Sequence, residues 1–480
     1  MFKDSIVYLF VSFFSILIGF VTLPFFTEYL GLEDFGLFAL FVLFGSVVVN
    51  VISFGLQTAT QRYFFQLDHN EFSILNTTIF FSLITLFFFF YLIIILPLSD
   101  WISFSIFDSK ISAELLMWSF ISGCFHYFYS YFNNLLIIQK RALHSALISI
   151  LHVIINTSLV FYFIKFKSIF DLALIYSFFI SNAVIFLLSI FLNLKYFQFS
   201  LSFESLKKSF IFSSPSTPVI IINNIYHSFD KTMMSNYHGK EEIGYYEFGS
   251  KFAIILKSFM DAVSKSWVPF FMSNAEKKSH DSSEEIITRY NQLLILFAFV
   301  GLGVSYFTEE FLILLTNPEF YDAKYLTPVL VVFYFSSALG FLSIHQLIFA
   351  GKLIYNIPTS ILGLTVNIVL NIILIPKYGA IGAVIATAIA SFIMSLVLFY
   401  FGNKSHPLPI KYKVLYLTFS LFLFFNLMIY PIFFTEMAIY WKIILKVLLL
   451  CSFLISSIWF KLISADTIKT FFFRIAKFQI

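Results

Sequence analysis

Apolar runs of about 20 residues, the length a helix needs to cross bilayer hydrocarbon, recur from one end of this chain to the other. Inside lipid no water can satisfy backbone amides and carbonyls, so each run must satisfy its own by folding as a helix. With 60% of 480 residues hydrophobic, 12% charged and a mean hydropathy of +0.91, the composition lies far from that of soluble domains. Hydrophobicity this high excludes a disordered chain, and continuous rather than alternating apolar runs exclude a transmembrane β-barrel. Cutting at charge and turn clusters predicts spans near 5 to 26, 36 to 58, 73 to 97, 113 to 138, 144 to 164 and 171 to 193. After a polar connection come 211 to 235, 243 to 271, 292 to 315, 326 to 350, 356 to 375, 380 to 401, 413 to 434 and 441 to 463. The expected fold class is all-α: a polytopic membrane protein of about 14 transmembrane helices.

Charge sets the orientation. With the N-terminus inside, the inner segments hold Lys3, Arg62, Lys140, Arg141, Lys195, Lys207, Lys208, Lys277, Lys278, Arg289, Lys352, Lys404, Lys411, Lys413, Lys461, Lys469, Arg474 and Lys477. The outer segments hold fewer, namely Lys110, Lys165, Lys167, Lys240, Lys324, Lys377 and Lys442. The positive-inside rule then predicts cytoplasmic N- and C-termini. The run from Ser5 is longer than a signal-peptide core and reads as a retained first helix, with Pro24 near its end. Residues 465–480, with Lys469, Arg474 and Lys477 among Phe471, Phe472, Phe473 and Phe478, read as an amphipathic tail on the inner surface. Trp101, Trp118, Trp267 and Trp441 are expected as interfacial anchors.

Several kinds of chemistry find no residues to carry them. The net charge of +4 is scattered rather than gathered in a basic stripe, so no nucleic-acid partner is expected. Cys124 and Cys451 lie apart in apolar runs, which reads as interior packing rather than a disulfide or metal site. No phosphate loop, nucleophile elbow or H-E-x-x-H motif occurs, so no catalytic residue, metal or cofactor is expected. A coupling ion, H+ or Na+, is left open.

The chain repeats itself. Leu30-Gly31-Leu32-Glu33-Asp34-Phe35-Gly36-Leu37-Phe38 and His238-Gly239-Lys240-Glu241-Glu242-Ile243-Gly244-Tyr245-Tyr246 share G-x-E-[DE]-[FI]-G-x-[FY] at an offset of 208 residues. At an offset of 211, Gln139-Lys140-Arg141 falls on Ala350-Gly351-Lys352 and Asn156 on Asn367. Six spans separate each element from its copy, and an even number preserves orientation, so the halves form a parallel repeat of the kind that brackets a cavity. Two six-helix lobes are expected at 1–200 and 201–404, followed by an extra helix pair at 405–464.

On these residues the chain resembles the multidrug/oligosaccharidyl-lipid/polysaccharide (MOP) exporter superfamily, and within it the O-antigen and related polysaccharide flippases often called Wzx. The resemblance is carried by Leu30 to Phe38, by the Pro215-Ser216-Thr217-Pro218 break with Asp230-Lys231 after it, and above all by Asn367 to Ala383. It implies translocation of an undecaprenyl-diphosphate-linked oligosaccharide, an O-antigen or similar repeat unit for lipopolysaccharide or another surface polysaccharide, between leaflets by alternating access. The partners it implies are that polyprenyl-diphosphate-linked oligosaccharide, membrane lipid and polysaccharide assembly proteins. Lys231 stands where the family commonly has Arg, keeping charge without the bidentate fork. Two other classes stay open: a MATE-like multidrug or small-molecule antiporter, and a membrane-embedded polymerase or glycosyltransferase. Four cavity lysines speak against cationic drugs, and no long outer loop speaks for an enzyme.

Ionisable residues within spans are costly and mark function or pairing. Glu247, Lys251, Lys257, Asp261 and Lys265 occupy an arc of about 120° on one helix at 100° per residue. Their i, i+4 spacing alternates sign, so the stripe is expected to neutralise itself in part. With Asp230 and Lys231 they form the expected substrate cavity; the competing reading makes them interhelical glue. Arg62, Lys140, Arg141 and Lys352 stand at the expected cytoplasmic entrance, either to meet a diphosphate or as positive-inside anchors. Pro215 and Pro218, two missing amide donors within one turn, are expected to hinge the seventh span. His126 and His345 lack a carboxylate at helical spacing and read as hydrogen-bonded interior residues.

Overall fold

The computed structural model describes residues 2–463 apart from 65–66, 108–110, 140, 168, 171, 199, 215–216 and 278, with some further side chains left out. The described residues are helices joined by short turns. In chain order the α-helices are α1 (Phe2–Tyr29), α2 (Leu32–Ile52), α3 (Leu56–Tyr63), α4 (His69–Phe90), α5 (Leu96–Phe107), α6 (Ala113–Ile138), α7 (Ala142–Lys167) and α8 (Ala173–Asn193). There follow α9 (Phe203–Ser213), α10 (Thr217–His238), α11 (Lys240–Glu276), α12 (His280–Leu315), α13 (Thr327–Phe349) and α14 (Asn356–Ser405). The last are α15 (Tyr412–Leu427), α16 (Ile429–Phe433) and α17 (Ile439–Trp459). Nine segments of the described residues are long and apolar enough to cross a membrane, and α10 and α11, which carry the candidate site, are too polar to be among them.

Two compact units divide the chain: residues up to Glu247 with Asn371–Gly379, and Phe248–Leu370 with everything from Ala380. The first is built around α6, which packs on α2 and α8, while α7 lies against α1 and α8. In lipid no hydrophobic force draws helices together, so small and polar residues bring them close. A β-carbon on Gly45 would strike the Ser119 carbonyl, and one on Gly123 would strike the backbone of Gly45, while the Ser119 hydroxyl donates to the Phe41 carbonyl. Gly45→Val is therefore expected to destabilise the first unit by about 1–3 kcal/mol through overpacking, read as a fall in the unfolding midpoint in detergent. Buried amides reinforce the seams. The Tyr131 hydroxyl donates to Asn76 at 2.8 Å, Asn76 donates to the Tyr196 carbonyl at 2.9 Å, and Gln139 donates to Asn193 at 3.0 Å.

In the second unit α12 packs on α13, α15 and α17. The Tyr306 hydroxyl donates to the Phe425 carbonyl at 2.6 Å and Asn426 to the Pro328 carbonyl at 3.0 Å, so the C-terminal pair is bonded to this unit as well as packed on it.

Several expectations are corrected. Connections read as polar loops are helical: α9 starts eight residues before the span expected at 211, its Ser202 hydroxyl capping Ser205 at 3.2 Å. Exposed Glu204 and Lys208 pair at 2.7 Å along α9, and the Lys208 ammonium holds the Glu204 carboxyl below its usual range. α12 likewise begins at His280, capped by Ser279 at 3.2 Å. The two spans expected at 356 to 375 and 380 to 401 stand as expected: they are the two arms of α14, which meet at a kink at Gly379, whose φ of 53° only glycine adopts freely. Pro24 lies inside α1 rather than at its end. Trp267 is not an interfacial anchor but 3% exposed, packed against Phe271 and Phe341, whereas Trp101, Trp118 and Trp441 are exposed. Cys451 is exposed rather than packed inside. The amphipathic tail expected from 465 lies outside the described residues.

Candidate substrate-handling site

α10 and α11 form a hairpin whose turn is Gly239, at φ 98°. Lys231 and Glu247 stand eight residues either side of that glycine, so an antiparallel hairpin brings them face to face. They meet as an ion pair, Nζ to Oε1 2.5 Å, with side chains 22% and 25% exposed. Beside them Asp230 is buried, accepts the Lys231 amide at 2.8 Å and is hydrogen-bonded by the Tyr246 hydroxyl. The hairpin thus places two carboxylates, an ammonium and a phenol in one polar cluster. Such a cluster can hold anionic groups through the ammonium and hydroxyl, or exchange Glu247 for a ligand's phosphate as the partner of Lys231.

Along α11, Lys251 is half-buried with its Nζ 4.3 Å from the centre of the Phe248 ring, and Lys257 and Asp261 are exposed. The i, i+4 pairing expected between Lys257 and Asp261 is not formed. Exposed ion pairs of this kind gain little, so nothing holds the two side chains together. The Lys265 side chain lies outside the described residues, as does Pro215. Pro218 is the second residue of α10, where a missing amide is tolerated, and residues 215–216 lie outside the described residues.

Of the expected entrance residues, Arg141 donates from Nη1 to the Leu192 carbonyl at 3.1 Å, which ties the α6–α7 turn to the end of α8. Lys352 is exposed after the turn at Gly351, whose φ is 65°. Arg62 sits in α3 with its side chain outside the description, and Lys140 lies outside it altogether. His126 bonds Asn182 at 3.2 Å and His345 bonds the Phe341 carbonyl at 2.6 Å, both as interior residues. Among the described residues no group of three or more His, Cys, Asp or Glu is placed to hold a metal ion.

A second charged cluster escaped sequence reasoning. On α12, Glu309 accepts Lys324 at 2.9 Å and Lys442 at 3.3 Å on one oxygen and Lys446 at 3.2 Å on the other. Lys446, fully buried, also reaches Glu310 at 2.6 Å. Two acidic residues in a span near 292 to 315 and a lysine in the final span were the available signal, since charges in lipid need partners.

Among the described residues the protein is helical without strands and carries the charged α10–α11 hairpin. The fold matches the lipid II flippase MurJ in an inward closed conformation with a TM-score of 0.69 at 18% identity, over 96% of this chain and 99% of that one. It also matches an inward-facing multidrug resistance MATE transporter of the MOP superfamily, with a TM-score of 0.64 at 14% identity over 81% and 94% of the two chains. Residues 1–275 match the family described as "Polysaccharide biosynthesis protein", and the chain belongs to that family. The probable low-salt glycan biosynthesis flippase Agl15 of Haloferax volcanii is 27% identical over 205 residues, 41% of this chain and 42% of that protein. The chain therefore spans about two fifths of the length of that relative. An uncharacterized membrane protein of Haemophilus influenzae is 23% identical over 86% of this chain and 96% of its own length.

Proposed function

We propose that this protein is a flippase that carries a polyprenyl-diphosphate-linked oligosaccharide, an O-antigen or similar repeat unit, from the inner to the outer leaflet of the bacterial cytoplasmic membrane. It acts as a transporter rather than as an enzyme. The observation that carries the reading is the Asp230–Lys231–Tyr246–Glu247 pocket on the α10–α11 hairpin, continued by Lys251, Lys257 and Asp261 along α11. A diphosphate needs ammonium donors in a dehydrated setting, and a sugar needs carboxylates and hydroxyls. The family, the glycan flippase relative and the flippase-like fold support the same class of cargo. The polyprenyl tail stays in lipid while the head group passes through water lined by the stripe, between lobes at 1–200 and 201–404, with both termini cytoplasmic.

Lys257→Ala and Asp261→Ala are each expected to reduce transport several-fold at normal membrane abundance, scored as surface polysaccharide per unit of protein. Wild-type output from both would remove the stripe from the transport path. Cysteines at 251, 257 and 265, in a background lacking Cys124 and Cys451, are expected to react with a water-soluble thiol reagent. Uniform inertness at the three positions would contradict a hydrated path.

A further inference from the structure

The buried cluster on α12 carries more positive charge than it neutralises. Among the described residues it joins two carboxylates, Glu309 and Glu310, to three ammonium groups, Lys324, Lys442 and Lys446. Lys446, fully buried, is held between Glu309 Oε2 and Glu310 Oε1. Lys324 and Lys442 share one atom, Glu309 Oε1, at 2.9 and 3.3 Å. An ammonium has three donors, so each of the two keeps donors for a further acceptor, and both tips stand close enough to one point for a single phosphate to bridge them. Their side chains are 14% and 11% exposed, shielded from bulk water but reachable at the edge of the cluster.

Two features of the surroundings point to an anion. Lys442 stands in the first turn of α17, which starts at Ile439 and has no acidic residue there. The unpaired amides of a helix start carry partial positive charge, so a lysine in that turn calls for more negative charge than Glu309, shared three ways, supplies. The second feature is depth. Tyr440 and Trp441 beside Lys442 are exposed, and tyrosine and tryptophan collect where lipid head groups meet hydrocarbon. On the other side Lys324 Nζ lies 5.3 Å from the centre of the Tyr325 ring and 5.6 Å from that of Phe433, and the Tyr430 hydroxyl fixes this turn by donating to the Tyr325 carbonyl at 2.9 Å. All of these residues belong to the second unit.

We propose that Lys324 and Lys442 form a site for the anionic phosphate head group of a lipid, between α12 and the start of α17 and made of none of the hairpin's residues. The head group takes the spare donors of the two lysines and brings the missing negative charge, while Glu309, Glu310 and Lys446 hold the lysines in place. Lipids of two sources have this chemistry, an anionic phospholipid and a polyprenyl diphosphate. The site rests on charge and depth alone, so it stands whether or not the transported cargo is the one named above.

The test uses the full chain in phosphatidylcholine vesicles, with Trp441 as a local reporter whose signal is the difference between wild type and Trp441→Phe. Phosphatidylglycerol with brominated acyl chains, mixed in as a minor component, is expected to quench Trp441 about fivefold more strongly per molecule than brominated phosphatidylcholine. Lys324→Gln with Lys442→Gln is expected to remove that preference, and Lys442→Gln alone to remove most of it, which keeps a readout if the double variant fails to fold. Unbrominated farnesyl diphosphate is then added. Recovery of fluorescence assigns the site to diphosphates as well, and unchanged quenching confines it to phospholipid. Equal quenching by the two lipids in wild type, or a preference that survives Lys442→Gln, would overturn the site. Surface polysaccharide output, read separately in cells, decides the cargo, so either reading can fail without the other.

Discussion

Glu309→Gln lowers the stability of the protein by about 3–5 kcal/mol, the range found when one partner of a buried ion network is removed. The side chain is 6% exposed and faces Lys324, Lys442 and Lys446, of which Lys446 is fully buried. With Glu309 neutral, Glu310 alone faces three ammonium groups, and only Lys446 is within its reach. The network spans α12, the 3-10 turn Pro318–Tyr325 and α17, so its loss removes the ion pairs that tie α17 to α12. Thermal unfolding in detergent reads the effect. Adding Lys446→Met removes the deepest stranded charge and is expected to recover part of the loss, because apolar residues can replace a buried pair at little cost. A change below about 1 kcal/mol in Glu309→Gln would mean that water reaches the cluster and screens it.

Lys231→Ala is expected to lower transport by about 10- to 100-fold, equivalent to the roughly 1.5–3 kcal/mol of a charge-assisted hydrogen bond. Its loss also leaves Glu247 and Asp230 unneutralised in the pocket, where they repel a diphosphate. Lys231→Arg keeps the charge and presents a planar bidentate fork, so it is expected to retain transport near the wild-type level. The measurement is surface polysaccharide output at matched membrane abundance. Equal losses in both variants would assign Lys231 to packing of the hairpin rather than to the cargo.

Helix character was legible because lipid leaves a backbone almost no alternative, and the repeat was legible because Gly36 and Gly244, neither of which has room for a β-carbon, stand at matched positions. That the two copies dock on each other, Gly36 on the Lys240 carbonyl and Gly244 on that of Leu32, was not, since an offset shows likeness and says nothing of contact. The stripe on α11 followed from helical period alone, but the partner of Glu247 did not. Period favoured Lys251 four residues away, whereas the hairpin delivered Lys231, which only the turn geometry at Gly239 reveals. The Glu309 network was hidden for a similar reason: Lys446 lies 137 residues from its partner. Trp267 was misplaced because span edges drawn from hydropathy drift, and α11 continues to Glu276, which leaves that indole inside the protein.

A chain that moves a lipid-linked glycan leaves that lipid stranded when it is missing. The most direct measurement is extraction of lipids from cells lacking the protein, with mass spectrometry for polyprenyl-diphosphate oligosaccharide and surface polysaccharide scored in parallel. Accumulation of that intermediate with loss of surface polymer, both reversed by the intact gene and not by Lys231→Ala, is the predicted result. Unchanged intermediates and unchanged surface polymer would contradict it, and altered drug susceptibility in the same cells would then favour the exporter whose fold this chain shares.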